Sequence, residues 1–204
     1  VGICHVLRYH PYFQKFKELV DNGELGQIVS VDHRASVGLD RATHSYVRGI
    51  FSSEKKTNPV LLSKCCHDVD FIVWLIGAKC RRLSSFGSLR WFTSSAAPEG
   101  AADRCVNCGI ESDCPYSAVN LYKRRGAWTK NFDIPEGCTL ADVVDRELEE
   151  GKFGRCVYHC DNDVVDHQVL SMIMENDVTV NMSMDFFTLE DHRITHVCLT
   201  HGEI

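Results

Sequence analysis

Apolar residues recur at helical spacing in two long stretches of the chain and alternate in several shorter ones. Between His10 and Gly23 the apolar positions are Tyr12, Phe13, Phe16, Leu19 and Val20. Pro11 stands where a first helical turn has no use for an N–H, and Gly23 supplies a stop, so this stretch predicts a helix. A second helix is expected from Pro59 through Ile76, ended by Gly77, with Leu62, Cys65, Cys66, Val69, Ile72, Val73 and Ile76 as its core face. Gln27 to Val37 alternates instead, with Val29, Val31, Ala35 and Val37 on one side and Ser30, Asp32 and Arg34 on the other. That period of two predicts a half-buried strand, and it puts His33 on the apolar side. Cys80 to Leu89 reads as a further strand, and three more are expected over Asp166 to Met174, Val178 to Phe187 and Arg193 to Thr200. In the middle one of these, Val178, Val180, Met182, Met184 and Phe186 share a face, and Glu175-Asn176-Asp177 supplies the turn before it.

The segments between these elements are polar or rich in small residues. Gly38 to Asn58 is expected to form a long loop of the kind that carries function. Thr93 to Cys114 is rich in Ser, Ala, Gly, Pro and Cys, and marks an insertion at about 93–138. Two short helices follow it, Pro115 to Arg125 and a stretch N-capped by Thr139 that runs to Glu150. A strand, a long helix, another strand and a closing meander predict an α+β domain over 1–204: an open-faced, mostly antiparallel sheet with helices on one face.

Composition narrows the function classes. Twenty-two Lys and Arg against 28 Asp and Glu give a net charge of −6 over 204 residues. No basic stripe is present to neutralise phosphates, so nucleic acid is not an expected partner. No apolar run approaches the roughly 20 residues of a bilayer span, so a membrane is not expected either. The eleven cysteines are odd in number, and the Cys65-Cys66 pair falls in a helical pattern. Both features point to free thiols and a reducing, cytoplasmic setting. The sequon Asn181-Met182-Ser183 lies in a strand pattern, with no secretory signal ahead of it. The chain opens Val1-Gly2-Ile3-Cys4-His5-Val6, in strand-like residues without an initiator Met. It is therefore expected to continue a longer protein.

Several chemistries are missing. No two of the fourteen glycines are two residues apart, so G-x-G-x-x-G does not occur, nor does a phosphate loop, a G-x-S-x-G elbow or H-E-x-x-H. Nothing in this chain is expected to bind a dinucleotide cofactor. The second helix does hold candidate chemistry. Ser63, His67, Asp70 and Trp74 follow at i, i+4, i+7 and i+11 and form a polar stripe, and Lys64 with Asp68 is a possible i, i+4 ion pair. A histidine placed there could exchange a proton with a substrate hydroxyl while a lysine holds the oxygen. A surface ion pair and a packed imidazole explain the same pattern without function.

Cys105-x2-Cys108-x5-Cys114 offers two adjacent corners and a third ligand for a tetrahedral zinc site. Cys138 is the first candidate for the fourth position, with Cys156, Cys160 or a histidine behind it. Free thiols are the alternative. Asp163 and His167, in the acidic and imidazole-rich run after Cys156, could line a pocket for a polyol, although Asp and Asn are ordinary turn residues.

Arg8-Tyr9-His10-Pro11, the helix leading to Glu24-Leu25-Gly26, and the strand after it together resemble the entry to the C-terminal domain of the Gfo/Idh/MocA oxidoreductases. This is the family of glucose-fructose oxidoreductase and inositol dehydrogenase. Pro59 to Gly77 resembles its signature helix: His67 matches the signature histidine, and Trp74-Leu75-Ile76-Gly77 matches the ending. Gly202-Glu203-Ile204 is similar to the family's close. The family aspartate falls on Ser63, and its glycines are replaced around Asn58-Pro59. The resemblance implies a sugar or cyclitol dehydrogenase in which an N-terminal Rossmann domain, outside this chain, binds NAD or NADP. It also implies that the open sheet face builds a homo-dimer or tetramer. On this reading His67 and Lys64 are the expected catalytic pair, and His44, Arg48, Asp163 and His167 are expected substrate contacts. The isolated chain is expected to be inactive. A non-catalytic sugar-binding or dimerisation domain, or a zinc-stabilised interaction module around Cys105, Cys108 and Cys114, is the alternative.

Overall fold

The computed structural model describes residues 4–204, so the strand-like start at Val1-Gly2-Ile3 lies outside the described residues. A 3-10 turn at Val6–Tyr9 leads into α1 (Pro11–Asp21), whose first turn is capped by His10 Nδ1 accepting from the Tyr12 N–H at 3.2 Å. Next come β1 (Ile28–Gly38), α2 (Leu39–Arg41), α3 (Val60–Ser63), α4 (Cys66–Ile76) and β2 (Cys80–Ser88). The insertion follows, then α5 (Leu140–Glu149), β3 (His167–Met174), β4 (Thr179–Thr188), β5 (His192–Leu199) and the short β6 (Gly202–Glu203). The strands form one six-stranded sheet in the order β2-β3-β4-β1-β5-β6. Among the described residues only β1 and β4 pair in parallel; every other neighbour is antiparallel.

Alternation decides which side of the sheet is covered. Val31, His33, Ala35 and Val37 of β1, with Val180, Met182, Met184 and Phe186 of β4, are buried in the main core against Phe13 and Phe16 of α1 and Phe71, Ile72 and Leu75 of α4. The opposite face is open, and the register lines up Phe86, Val169, Ser183, Arg34 and Ile194 in one row across five strands. Phe86, Val169 and Ile194 in that row are exposed. The expected α+β architecture and the three closing strands are thus borne out. So is the Thr139 cap, which forms a reciprocal capping box with Asp142.

Three expectations need correction. The loop at Gly38 to Asn58 begins as helix: α2 runs straight into a buried π-helical turn at Ala42–Val47. The helix expected from Pro59 to Ile76 is broken at Lys64-Cys65, and the break shifts the buried face onto Val60, Cys65, Asp68, Phe71, Ile72 and Leu75. Leu62 is left 59% exposed. The segment after Cys114 closes as a π-helical turn at Val119–Arg124 and has its own small core. Leu121, Tyr122, Val144 and Leu148 form that core, with Trp128, Phe132 and Phe153 packed on it, so the insertion packs with α5 as one unit. Among the described residues no helix is long and apolar enough to cross a membrane.

Candidate functional site

Helix α4 is held from two sides. On the sheet side Asp68 is fully buried. One of its oxygens lies 3.0 Å from His33 Nε2 and receives the Arg193 Nε–H at 2.5 Å, while His33 Nδ1 meets Thr195 Oγ1 at 2.9 Å. Burial opposes the charge on Asp68, but the hydrogen bonds from His33 and Arg193 outweigh it and hold the carboxyl below its ordinary range. The expected Lys64–Asp68 surface pair is therefore replaced by a buried network. Lys64, at the break before α4, is itself partly buried, and burial lowers its ammonium pKa while Asp191 acts against that shift.

The other side of α4 carries the polar stripe. Arg8 donates two hydrogen bonds to Asp70, at 2.7 and 2.6 Å, and its guanidinium lies over the Trp74 ring at 5.8 Å. The 3-10 turn that carries Arg8 brings His5 with it, so the His5 and His67 rings meet edge to face at 5.8 Å. Both imidazoles keep a buried Nδ1 with no hydrogen-bond partner. Buried polar atoms are nearly always paired, so these two nitrogens are free to take a partner. His5, Cys66 and His67 each place one ligand atom within 4.8 Å of the others, a spacing that would suit a metal. Ser63 stands just before the break and turns its hydroxyl back onto the Pro59 carbonyl at 3.3 Å. Sequence reasoning found His67, Asp70 and Trp74 but missed His5 and Cys66.

The expected substrate contacts lie elsewhere. His44 is buried between Trp128 and Phe153, stacked at 5.0 and 4.7 Å, with Nδ1 2.9 Å from the Tyr122 hydroxyl. Burial in that aromatic sandwich, helped by Lys152 and Arg48, pushes its pKa down to about 4. Arg48 is also buried, donating Nε–H to the Arg155 carbonyl at 2.7 Å and Nη2–H to the Tyr116 carbonyl at 2.8 Å. Both side chains fasten the insertion to the domain. Asp163 accepts from the Glu54 N–H at 2.6 Å and the Ser53 hydroxyl at 3.2 Å, which makes it a loop clamp. His167 is held between Asp166 at 2.8 Å and Ser88 at 3.3 Å, and Asp166 in turn accepts from the Arg90 and Trp91 N–H groups. None of these four residues joins the His67 cluster. Cys105, Cys108 and Cys114 are not among the groups of described residues whose ligand atoms all lie within 4.8 Å. They line a small cavity together with Cys156, while Cys138 sits beside Arg146.

Residues 13–110 match the model of the GFO/IDH/MocA C-terminal domain, which bears out the resemblance seen in the sequence. The chain is 22% identical over 209 residues to the putative oxidoreductase YteT of Bacillus subtilis (strain 168), covering 96% of this chain and 45% of that protein. In structure it is similar to scyllo-inositol dehydrogenase from Lactobacillus casei with bound NAD(H) and scyllo-inositol, at a TM-score of 0.57 and 15% identity. That likeness covers 100% of this chain and 40% of the other. It is likewise similar to myo-inositol 2-dehydrogenase from Lactobacillus plantarum, at a TM-score of 0.55 and 14% identity over 98% of this chain and 40% of that one. At these identities the likeness establishes the fold, and the chain spans less than half the length of these relatives.

Proposed function

We propose that this relative of the GFO/IDH/MocA C-terminal domains is the substrate-binding and assembly domain of an NAD(P)-dependent oxidoreductase acting on a sugar, sugar derivative or cyclitol. The observation that carries the reading is His67, whose buried Nδ1 has no partner on the face of α4 where the resemblance puts the signature histidine. The structural neighbour that holds NAD(H) and scyllo-inositol supports a polyol as the substrate class.

These residues suit the substrate side of such a reaction and not the nucleotide side. The chain has no G-x-G-x-x-G turn, so a dinucleotide would be held mainly by a separate domain. A bound nicotinamide supplies the hydride acceptor. His67 takes the proton of the reacting hydroxyl as its carbon is oxidised, and returns it in the reverse direction. Lys64, whose ammonium burial destabilises and Asp191 favours, is assigned as the helper of His67 in that step. The Arg8–Asp70 pair fixes α4 against the turn that carries His5 and so sets where His67 stands.

The row of Phe86, Val169 and Ile194 on the open sheet face is assigned to a homo-dimer or tetramer contact. A cytoplasmic setting belongs to the same reading. A non-catalytic sugar-binding domain is the second reading, favoured by Ser63 at the position of the family aspartate. The test is NAD(P)+ reduction by the full-length protein over a panel of cyclitols and sugars, with this chain alone as the control. Turnover of at least one polyol by the full-length protein and none by the chain alone is expected. Cofactor and polyol binding without turnover would move the domain to the second reading.

A further inference from the structure

Four cysteines from three separate segments converge on one cavity at the base of the insertion. Cys105, Cys108 and Cys114 come from its successive 3-10 turns, and Cys156 arrives from beyond α5, its N–H donating to the Asp103 carbonyl at 2.8 Å. The cavity has a volume of about 20 Å³, the scale of a single water or ion. The Cys105 sulfur already accepts the Ala118 N–H at 3.4 Å.

The charge on the cavity wall points the same way. Arg48 is 4% exposed, lines the cavity, and places Nη2 3.8 Å from the Cys105 sulfur. Its Nη1 is buried with no hydrogen-bond partner. Arg48 donates to two backbone carbonyls, but among the described residues no carboxylate pairs with it, so its buried charge lacks a counter-ion.

We propose that Cys105, Cys108, Cys114 and Cys156 bind a single thiophilic metal ion, zinc foremost, as a closed structural site whose negative charge is partly balanced by Arg48. Each thiol releases its proton to solvent as its bond to the metal forms, and no electron is transferred. With zinc–sulfur bonds of about 2.3 Å a tetrahedral site brings its sulfurs to about 3.8 Å from one another, so binding draws the Cys105-x2-Cys108 turn inward. Cys160 is left out, its thiol turned onto the Cys156 carbonyl at 3.2 Å. The proposal does not depend on the catalytic reading: Arg48 and the four cysteines lie outside the His67 cluster.

The test is elemental analysis of the full-length protein, purified under reducing conditions from medium supplied with zinc and iron. Near-stoichiometric zinc is expected, together with a chelator-induced fall in the melting temperature of the insertion. The Cys108→Ser and Cys156→Ser variants should lose most of the metal, and Cys138→Ser should retain it. Because the wild-type metal content is measured directly, a variant that fails to fold does not decide the result. Iron with acid-labile sulfide would replace the single ion by a cluster and overturn the assignment. Metal-free protein, or a disulfide among these four residues, would also overturn it.

Discussion

Helix α4 presents an acid and imidazole arrangement on each of two sides, and the two differ in how completely their polar atoms are satisfied. On the sheet side, both nitrogens of His33 are engaged and the Asp68 carboxylate is bound by His33 and Arg193. On the other side, Asp70 is held by Arg8, yet His5 and His67 each leave a buried nitrogen unpaired. Asp68 and Asp70 are two residues apart on one helix, about 200° around its axis, so neighbouring positions serve opposite ends. A closed network fixes the helix on the sheet, and an open one is available to a ligand. Pairing, more than residue type, distinguishes His33 from His67.

The comparison breaks most sharply at Asp68. Asp68→Asn leaves Arg193 and His33 around a neutral amide, and breaking a buried ion pair in this way costs about 3–5 kcal/mol. Urea unfolding should show that loss, and a change below about 1 kcal/mol would mean the network does not anchor α4. A second large effect is set by pH. His44 is neutral in the fold, with its pKa lowered from 6.5 to about 4. Above pH 6.5 neither state gains a proton at this residue. Between 6.5 and 4 the unfolded chain takes up a proton that the folded state refuses, so stability falls as pH falls, by on the order of 3 kcal/mol over the window. The His44→Phe variant should keep the aromatic stack and flatten that part of the stability–pH curve; an unchanged slope would assign it to other groups. Lys64→Met should have a smaller effect, lowering kcat of the full-length protein roughly tenfold, the loss of one charge-assisted hydrogen bond to the substrate oxygen. An unchanged kcat would leave Lys64 with a packing role only.

Local patterns were legible in the sequence, and long-range pairing was not. The closing strands show plainly because Val178 to Phe186 alternates without a break, and α5 shows through its Thr139 cap. The face of α4 was misjudged because the chain breaks at Lys64-Cys65, which resets the helical phase, and because a charged Asp68 in the core contradicts a simple apolar pattern. His44 and Arg48 look like solvent-facing loop residues until their partners are known. Those partners, Tyr122, Trp128, Phe153 and the carbonyls of Tyr116 and Arg155, lie 68 or more residues further along the chain. His67 stood out in the sequence because a signature spacing is local, whereas His5 reaches it only through tertiary packing. The cysteine spacing gave three of the four cavity sulfurs, but only the fold brings in Cys156 in place of Cys138.

The central claim is that His67 moves the substrate proton, and the direct measurement is kcat for polyol oxidation by the full-length protein with and without His67→Ala. The account predicts a fall of roughly 10²-fold or more with an unchanged melting temperature, because no buried partner loses a hydrogen bond from the unpaired Nδ1. Equal turnover in the two proteins would contradict it and leave the open side of α4 without a catalytic role.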